Sequence, residues 1–396
     1  MISVQEAENF ILSERRDYGT EKLVLTNAVG RVLSENIYAD RDFPPFHRVT
    51  MDGIAIDYQG FINKNRRFKR IATQGAGVAP FALKNLNECI EIMTGAVLPT
   101  NCDTIIRYED LSVEGDFFTL LTDDVKQGQN VHIQGRDKRK GDLVLAENQV
   151  ITPQLIQMAA SVGATHLEVK KLPRIVILSS GDELVDIHEA PLPYQIRRSN
   201  SYTLQAALLA YNINADLLHI PDNEEVTRKE IQNCSQNYDI LILSGGISMG
   251  KFDYIPGALE AVGVQKIFHK VAQRPGKPFW FGKAENGAIV FALPGNPVST
   301  FMCFQRYVLL WLEKNLSIEK VKNYAVLGKN IIFKPNLHYF AQVKLSQNEQ
   351  AQTIAMPFEG NGSGDFANLT TSDAFIELPT GKTEFLEGEV YRIWKF

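Results

Sequence analysis

Hydrophobic and polar positions alternate with a period that changes along the chain. In MISVQEAENFILSERRDYG, Val4, Ala7, Phe10 and Ile11 recur at helical spacing, which predicts an amphipathic first helix. KLVLTNAVGRVLSENIYA then reads as a strand, a turn and a second apolar segment. From about Asp40 to Gly141, short apolar runs such as CIEIMTGAV and DTIIRYEDL are broken by Gly, Pro and Asn, the pattern of a β-rich module of short strands. A helix is expected from Pro153, with Leu155, Met158 and Ala159 on one face and Gly163 beyond its end.

The pattern changes at Pro173. RIVILSS, ADLLHIP, YDILILSGG and AIVFALPG are near-continuous apolar strands. Helical segments alternate with them: SNSYTLQAALLAYN (with Ser199 or Ser201 as candidate N-cap), NEEVTRKEIQNCSQN, DYIPGALEAVG and a long apolar helix from Pro297. Such alternation predicts a mostly parallel sheet covered on both faces and ending near Leu316. The remaining residues, with VKLSQ, AFIELP and EVYRIWKF, predict a small all-β domain.

Composition narrows the class. With 396 residues, two or more domains are expected. Forty-one Lys and Arg against 46 Asp and Glu give a net charge of −5, without the basic excess of a general nucleic-acid binder. The four cysteines, Cys89, Cys102, Cys234 and Cys303, form no C-x-x-C pair and read as reduced thiols of a cytoplasmic protein. The N-terminus lacks the pattern of a signal peptide, and no run of about 18 apolar residues predicts a membrane span.

Ligands of an open parallel sheet bind beyond the carboxyl ends of its strands. Here those ends carry SSGDEL (Gly181, Asp182, Glu183), IPDNEE (Asp222), SGGISMGKFD (Gly245, Gly246, Ser248, Gly250, Asp253) and LPGNPVS (Pro294, Pro297, Ser299). The glycines fit either a tight reversal into a helix or a cradle of backbone N–H groups for an oxyanion. Asp222 taken alone reads as a helix cap, and Asp253 reads equally as a cap or a functional acid. HKVAQRPGKPFWFG adds Lys270, Arg274 and Lys277, the complement for a phosphorylated or oxyanionic ligand held with a hard divalent cation such as Mg²⁺. No P-loop, dinucleotide fingerprint or G-x-S-x-G elbow occurs. His47, His219 and His269 read as structural or surface residues, with a weak alternative for His47 beside the MDG turn.

Taken together, FPPFHRVTMDGIAID, IMTGAVLPTNCDTIIRYED, IQGRDKRKGD, LSSGDELV, IPDN, SGGISMGKFDY, RPGKPFWFG and LPGNPVS occur in the order found in one family. The chain resembles the molybdopterin molybdenumtransferases, the MoeA family, to which the C-terminal domain of gephyrin also belongs. The resemblance implies a multi-domain α/β plus β fold. Residues 1–45 and 142–172 would form a discontinuous linker domain and 46–141 an inserted β-rich domain. Residues 173–316 would form an α/β/α molybdopterin-binding domain like the molybdopterin adenylyltransferases, and 317–396 a small β-barrel-like domain. It also implies insertion of molybdate into adenylylated molybdopterin, with Mg²⁺-dependent release of AMP, in a homodimer. The cleft would lie between the sheet domain of one subunit and the N-terminal β module of the other.

Carried over by motif, the functional acids are Asp52, Asp137, Glu183, Asp222 and Asp253, with Glu183 and Asp253 on the metal. The molybdate and substrate ligands are Ser248, Lys270, Arg274, Lys277, Pro294, Pro297, Ser299 and Ser363. Gly181, Gly245, Gly246 and Gly250 form the pterin and phosphate loops. Leu337 and Gln342 stand where the family usually has arginines, Ile54 where it commonly has Tyr, and Arg274 where it has Lys. His338 or a nearby Lys is a candidate to supply the missing charge. The implied partners are a molybdopterin-adenylylating protein and molybdoenzymes or their chaperones, with neither nucleic acid nor membrane. Two other readings are an adenylyltransferase using ATP and a non-catalytic cofactor-binding or scaffold homologue.

Overall fold

Burial decides how the central strands pair. Ile175–Ser180, Ile240–Ser244 and Ile289–Leu293 are apolar and buried almost throughout, so each needs cover on both faces. The computed structural model, which describes residues 1–247, 254–358 and 366–396, places them in the middle of a six-stranded sheet. Its order is Asp216–Ile220, Ile175–Ser180, Ile240–Ser244, Ile289–Leu293, Trp280–Lys283, Gln265–His269. The first four strands are parallel and the last two antiparallel, so the expected mostly parallel sheet is present. Alternate residues face opposite layers. Ile175 and Ile177 pack with the helix Ser199–Leu209 and the helical run that starts at Pro297. Val176 and Leu178 pack with Glu224–Asn237 and Ile255–Ala261.

Two local expectations are corrected. Neither Ser199 nor Ser201 caps its helix: Arg198 occupies the N-cap with no side-chain cap bond, Ser199 is already helical, and Ser201 is buried. Tertiary contacts set this start, because Arg197 belongs to a short parallel ribbon with Val185 and Arg198 is ion-paired to Asp186. The apolar helix from Pro297 is not uniform either. Pro297–Cys303 continues through a π-helical turn, Phe304–Val308, into Leu309–Asn315.

The first helix, Val4–Ser13, is fixed by a capping box: the Ser3 hydroxyl accepts from the Glu6 N–H, and the Glu6 carboxylate accepts from the Ser3 N–H. Val4, Ala7 and Ile11 are buried in the same cluster as Ile175, whereas Phe10 stays 43% exposed. Thr20–Val24 pairs antiparallel with His166–Lys170 beside the helix Pro153–Ser161. The β-rich region forms a second six-stranded sheet, ordered Thr104–Arg107, Gly53–Ile56, Glu88–Ile92, Arg67–Gln74, Phe117–Leu120, Leu111–Glu114. All four cysteines are buried and free, and burial pushes the Cys89 thiol up to about 12.

The C-terminal strands close on themselves. His338–Gln347 pairs with Thr353–Pro357, which pairs with Asn323–Leu327, then Val390–Lys395, then Ala374–Leu378, and so back to His338–Gln347. The barrel-like expectation is therefore met by a closed ring. Gln273–Arg274, from the central module, adds in parallel to the edge of this ring at His338 and Tyr339.

A buried cation ties these bodies together. Arg306, 2% exposed in the π-helical turn, donates to Glu8 of the first helix at 2.6 Å and lies 3.5 Å from Glu377 of the barrel. Its guanidinium also stacks 4.4 Å from the Trp394 ring, and the Trp394 indole donates to Glu377. Removing Arg306 leaves two largely buried carboxylates without their cation, so Arg306→Ala is expected to destabilise the chain by about 3–5 kcal/mol. Arg306→Met with Glu8→Gln and Glu377→Gln should recover much of that loss. Thermal melts of the three proteins check this; equal melting temperatures for Arg306→Ala and the parent would refute it.

Candidate functional site

The carboxyl ends of the parallel strands form one rim. After Ile175–Ser180, the Asp182 N–H donates to Asp222 at 3.4 Å and the Asp222 N–H donates to Asp182 at 3.0 Å. Each acid thus pins the other's backbone, and the Ser180 hydroxyl adds a third bond to Asp222 at 3.4 Å. The Glu183 carboxylate folds back over Gly181, where a Cβ would lie 2.4 Å from it. His219 serves this turn: its Nε2 lies 3.1 Å from the Gly181 carbonyl. Burial, then repulsion from Arg198, lowers its pKa, so it is a neutral ring in a structural role.

Gly245 and Gly246 end the central strand at φ +95 and +65, conformations a side chain resists. A Cβ on Gly245 would also sit 3.0 Å from the Ser180 carbonyl. This turn therefore packs directly against the acid-bearing loop. Ser248, Gly250 and Asp253, which follow, lie outside the described residues, as does Ser363.

Asn200 was not singled out from the sequence, yet it bonds the rim together. Its Nδ2 donates to Ser244 Oγ at 3.0 Å, the Gly295 carbonyl at 2.8 Å and Thr300 Oγ1 at 3.3 Å. An Asn in the first turn of a helix that begins at a strand-end rim was the available signal.

Where the sheet module meets the barrel there is a cavity of about 370 Å³. Arg274, Lys277, Pro294 and Ser299 line it, together with Leu337 and Gln342. Four expected ligand positions thus converge with the two positions, Leu337 and Gln342, where arginines were expected. Arg274 and Lys277 have no carboxylate partner among the described residues, so their charge is available to an anion. Their loop is held from beneath. Buried Gln273 donates to the Gly276 carbonyl at 3.0 Å and accepts from the Tyr307 hydroxyl at 2.5 Å. Gly276 has φ +86, and a Cβ there would meet Cys303 Sγ at 2.5 Å.

Other expected residues fall elsewhere. Pro297 opens the helix and lines a neighbouring cavity. Lys270 does not line the first cavity; it sits at φ +72, its N–H bonded to the Phe279 carbonyl. His338 does not replace the missing arginines. It does not line the cavity, burial lowers its pKa, and its charged neighbours are Glu377 and Arg306. No lysine besides Lys277 lines the cavity among the described residues.

Asp52 and Asp137 belong to the N-terminal region. Asp52 accepts the Thr94 N–H at 2.6 Å, which holds its carboxyl below the ordinary range. Asp137 lies 3.1 Å from His132 Nε2. Among the described residues, neither carboxylate is hydrogen-bonded to the strand-end rim or to the cavity.

An open α/β sheet with acids and glycines at its carboxyl edge, and a cationic cavity against a closed barrel, defines a multi-domain α/β plus β protein whose cavity has the charge to suit an anionic small molecule. Family models match in sequence along the chain: the MoeA N-terminal region (domains I and II) over residues 2–163, a probable molybdopterin binding domain over 176–314, and the MoeA C-terminal region (domain IV) over 324–396. The chain belongs to the MoeA family of molybdopterin molybdenumtransferases. It is 39% identical over 394 residues to a molybdopterin molybdenumtransferase of Synechocystis, covering 99% of both chains. It is 29% identical to one of Staphylococcus epidermidis, covering 98% of this chain and 94% of the relative. Among solved structures, a molybdopterin biosynthesis MoeA protein from Pyrococcus horikosii superposes with a TM-score of 0.85 at 27% identity, covering 100% of this chain and 99% of that one.

Two outcomes follow from this geometry. Gly276→Ala should lower the melting temperature, because both the positive φ and the contact with Cys303 resist a methyl group. It should also weaken molybdate binding; a variant that melts and binds like the parent would contradict the anchoring. For Asp52, a folded pKa below the unfolded one gives stability that is present above the unfolded value and is lost as pH falls through the folded value. Unfolding followed from pH 6 down to about pH 2 should therefore show a smaller acid-induced loss for Asp52→Asn than for the parent.

Proposed function

We propose that the chain is a molybdenum-inserting transferase of molybdenum cofactor biosynthesis, acting on molybdate and adenylylated molybdopterin with release of AMP. The observation that carries this reading is the cavity in which Arg274, Lys277 and Ser299 converge on one space. A tetrahedral dianion needs cations and hydroxyl or N–H donors, and charge-assisted hydrogen bonds to it are the strong ones. Arg274 offers a planar fork of donors, Lys277 a compact charge, and Ser299 a hydroxyl on a rigid helix.

The acid-bearing rim would receive the phosphate end of the substrate. Mg²⁺ takes oxygen ligands and is commonly held by one or two carboxylates plus substrate phosphates. Among the described residues, no group of three or more His, Cys, Asp or Glu is placed to hold an ion. The Asp222 carboxylate is engaged by the Asp182 N–H and the Ser180 hydroxyl, but the Glu183 carboxylate accepts from no described donor. Glu183 therefore fits as one ligand, with Asp253 as the other. The ion would neutralise charge on the phosphate as AMP leaves.

Asp52 and Asp137 act, on this reading, from the second subunit of a homodimer, whose N-terminal module completes the cleft. The setting is cytoplasmic, between a molybdopterin-adenylylating protein and the molybdoenzymes or chaperones that take the cofactor. Among the described residues, no helix is long and apolar enough to cross a membrane.

Purified protein incubated with adenylylated molybdopterin, molybdate and Mg²⁺ should release AMP in proportion to molybdate. Arg274→Ala should raise the molybdate concentration needed for half-maximal rate about tenfold or more, the loss of one charge-assisted bond. Asp253→Asn should cut turnover while leaving the melting temperature unchanged. AMP release that ignores molybdate, or ATP consumption with free molybdopterin, would overturn the assignment.

A further inference from the structure

The segment from Pro294 to Phe301 separates two cavities. Pro294, Asn296 and Ser299 line the cationic one described above. Pro297, Thr300 and Phe301 line the other, which has a volume of about 320 Å³. That volume lies within the usual range of small-molecule sites, roughly 300–1,000 Å³.

The second cavity has a different chemistry. Among the described residues no charged side chain lines it. Phe301, Phe366 and Phe396 contribute aromatic walls, and Phe396 is braced by Phe301 at 5.0 Å and by Phe375 at 5.1 Å. Such walls accept flat ring systems. Asn200 supplies the polar anchor. Its Nδ2 is committed to Ser244, Gly295 and Thr300, which fixes the amide orientation, and no described donor reaches its Oδ1. An amide oxygen oriented in this way and left without a described donor can accept from an N–H group. The Thr203 hydroxyl, already donating to the Ser199 carbonyl, is likewise left as an acceptor.

We infer that this second cavity receives the amino-substituted fused ring of the substrate, with the exocyclic amine donating to Asn200 Oδ1. The choice of ligand rests on the proposed reaction, whose substrate carries two such rings, an adenine and a pterin. Among the described residues no cation faces it, which favours a ring over a phosphate as the occupant. The two cavities share one wall, so a ring in the second would set the position of the reacting end relative to Arg274 and Lys277.

The test titrates the full chain with adenosine, AMP and a free pterin, and follows ring contact by saturation-transfer NMR. The variants are Thr203→Trp, which fills the cavity from an exposed helix position, and Phe396→Ala, which removes one wall. Thermal melts check that both remain folded. At least a tenfold loss of affinity for one ring in both variants, with molybdate binding unchanged, supports the inference. Loss of adenosine and AMP assigns the adenine, and loss of the free pterin assigns the pterin. If no ring probe binds the parent, or both variants bind every ring as the parent does, the inference is overturned. Molybdate-dependent AMP release with an unchanged KM in both variants would sink this inference and leave the reaction standing. Absence of that release would sink the reaction, while the ring titration still decides the cavity.

Discussion

The buried charge of Arg306 is the constraint on which the site depends. It touches an acid from the first helix and one from the barrel, while its own turn belongs to the central module. A guanidinium so deeply buried is costly unless its partners stay in place. The three bodies are therefore held in one arrangement by the cost of separating them, and the cationic cavity exists only in that arrangement. The parallel pairing of Gln273 and Arg274 with His338 and Tyr339 adds to this. It makes a two-residue extension of the barrel out of the very loop that carries the proposed anion ligands.

Below that loop, the support is neutral. Gln273 is bonded by Tyr307 and by the Gly276 carbonyl, and Cys303 packs under Gly276. Burial pushes the Cys303 and Tyr307 pKa values upward, so both stay protonated and neutral. A carboxylate in any of these places would pair with Arg274 or Lys277 and consume the charge that an incoming anion needs. The neutral layer positions the cations without neutralising them.

The sequence made one part of this legible and hid another. Strand ends, glycine turns and the RPGKP cations carry local signals: apolar runs, punctuating residues and charge. They led to Arg274 and Lys277, and the family resemblance added Pro294 and Ser299; the fold brings all four to one cavity. Gln273, Tyr307 and Arg306 were invisible, because a buried polar residue is defined by partners distant in sequence. Arg306 reads as one more position in an apolar helix, and its partners lie 298 and 71 residues away by the numbers of Glu8 and Glu377. The start of the helix Ser199–Leu209 failed for the same reason, since the pairing of Arg198 with Asp186 outweighed the local capping preference. Leu337 and Gln342 drew notice only through the family resemblance; composition and periodicity gave no reason to watch them.

The order of strands explains how acids and cations serve one ligand without cancelling. Asp222 and Glu183 follow the first two strands of the sheet order, the glycine turn follows the third, and LPGNPVS follows the fourth. The cations come last, on the loop beyond Gln265–His269 that joins the barrel. Charge along the rim thus runs from negative to positive, with a small-residue turn between. Asp182 and Asp222 hold each other's backbone, which keeps the acids at their own end. A ligand that spans this rim meets carboxylates at one end and cations at the other. The polarity matches a substrate whose phosphate is handled with a metal at the acidic end while an oxyanion is held at the basic end. Among the described residues two cations line the cavity, with leucine and glutamine at the remaining corners, so the proposed oxyanion's hold would rely more on fixed donors than on charge. One such donor is set by Ser372, whose hydroxyl engages Gln342 Oε1 at 3.3 Å and leaves the amide N–H₂ group for the cavity. Pre-set neutral donors lose little entropy when the ion arrives, which is how a less charged cavity can still bind it selectively.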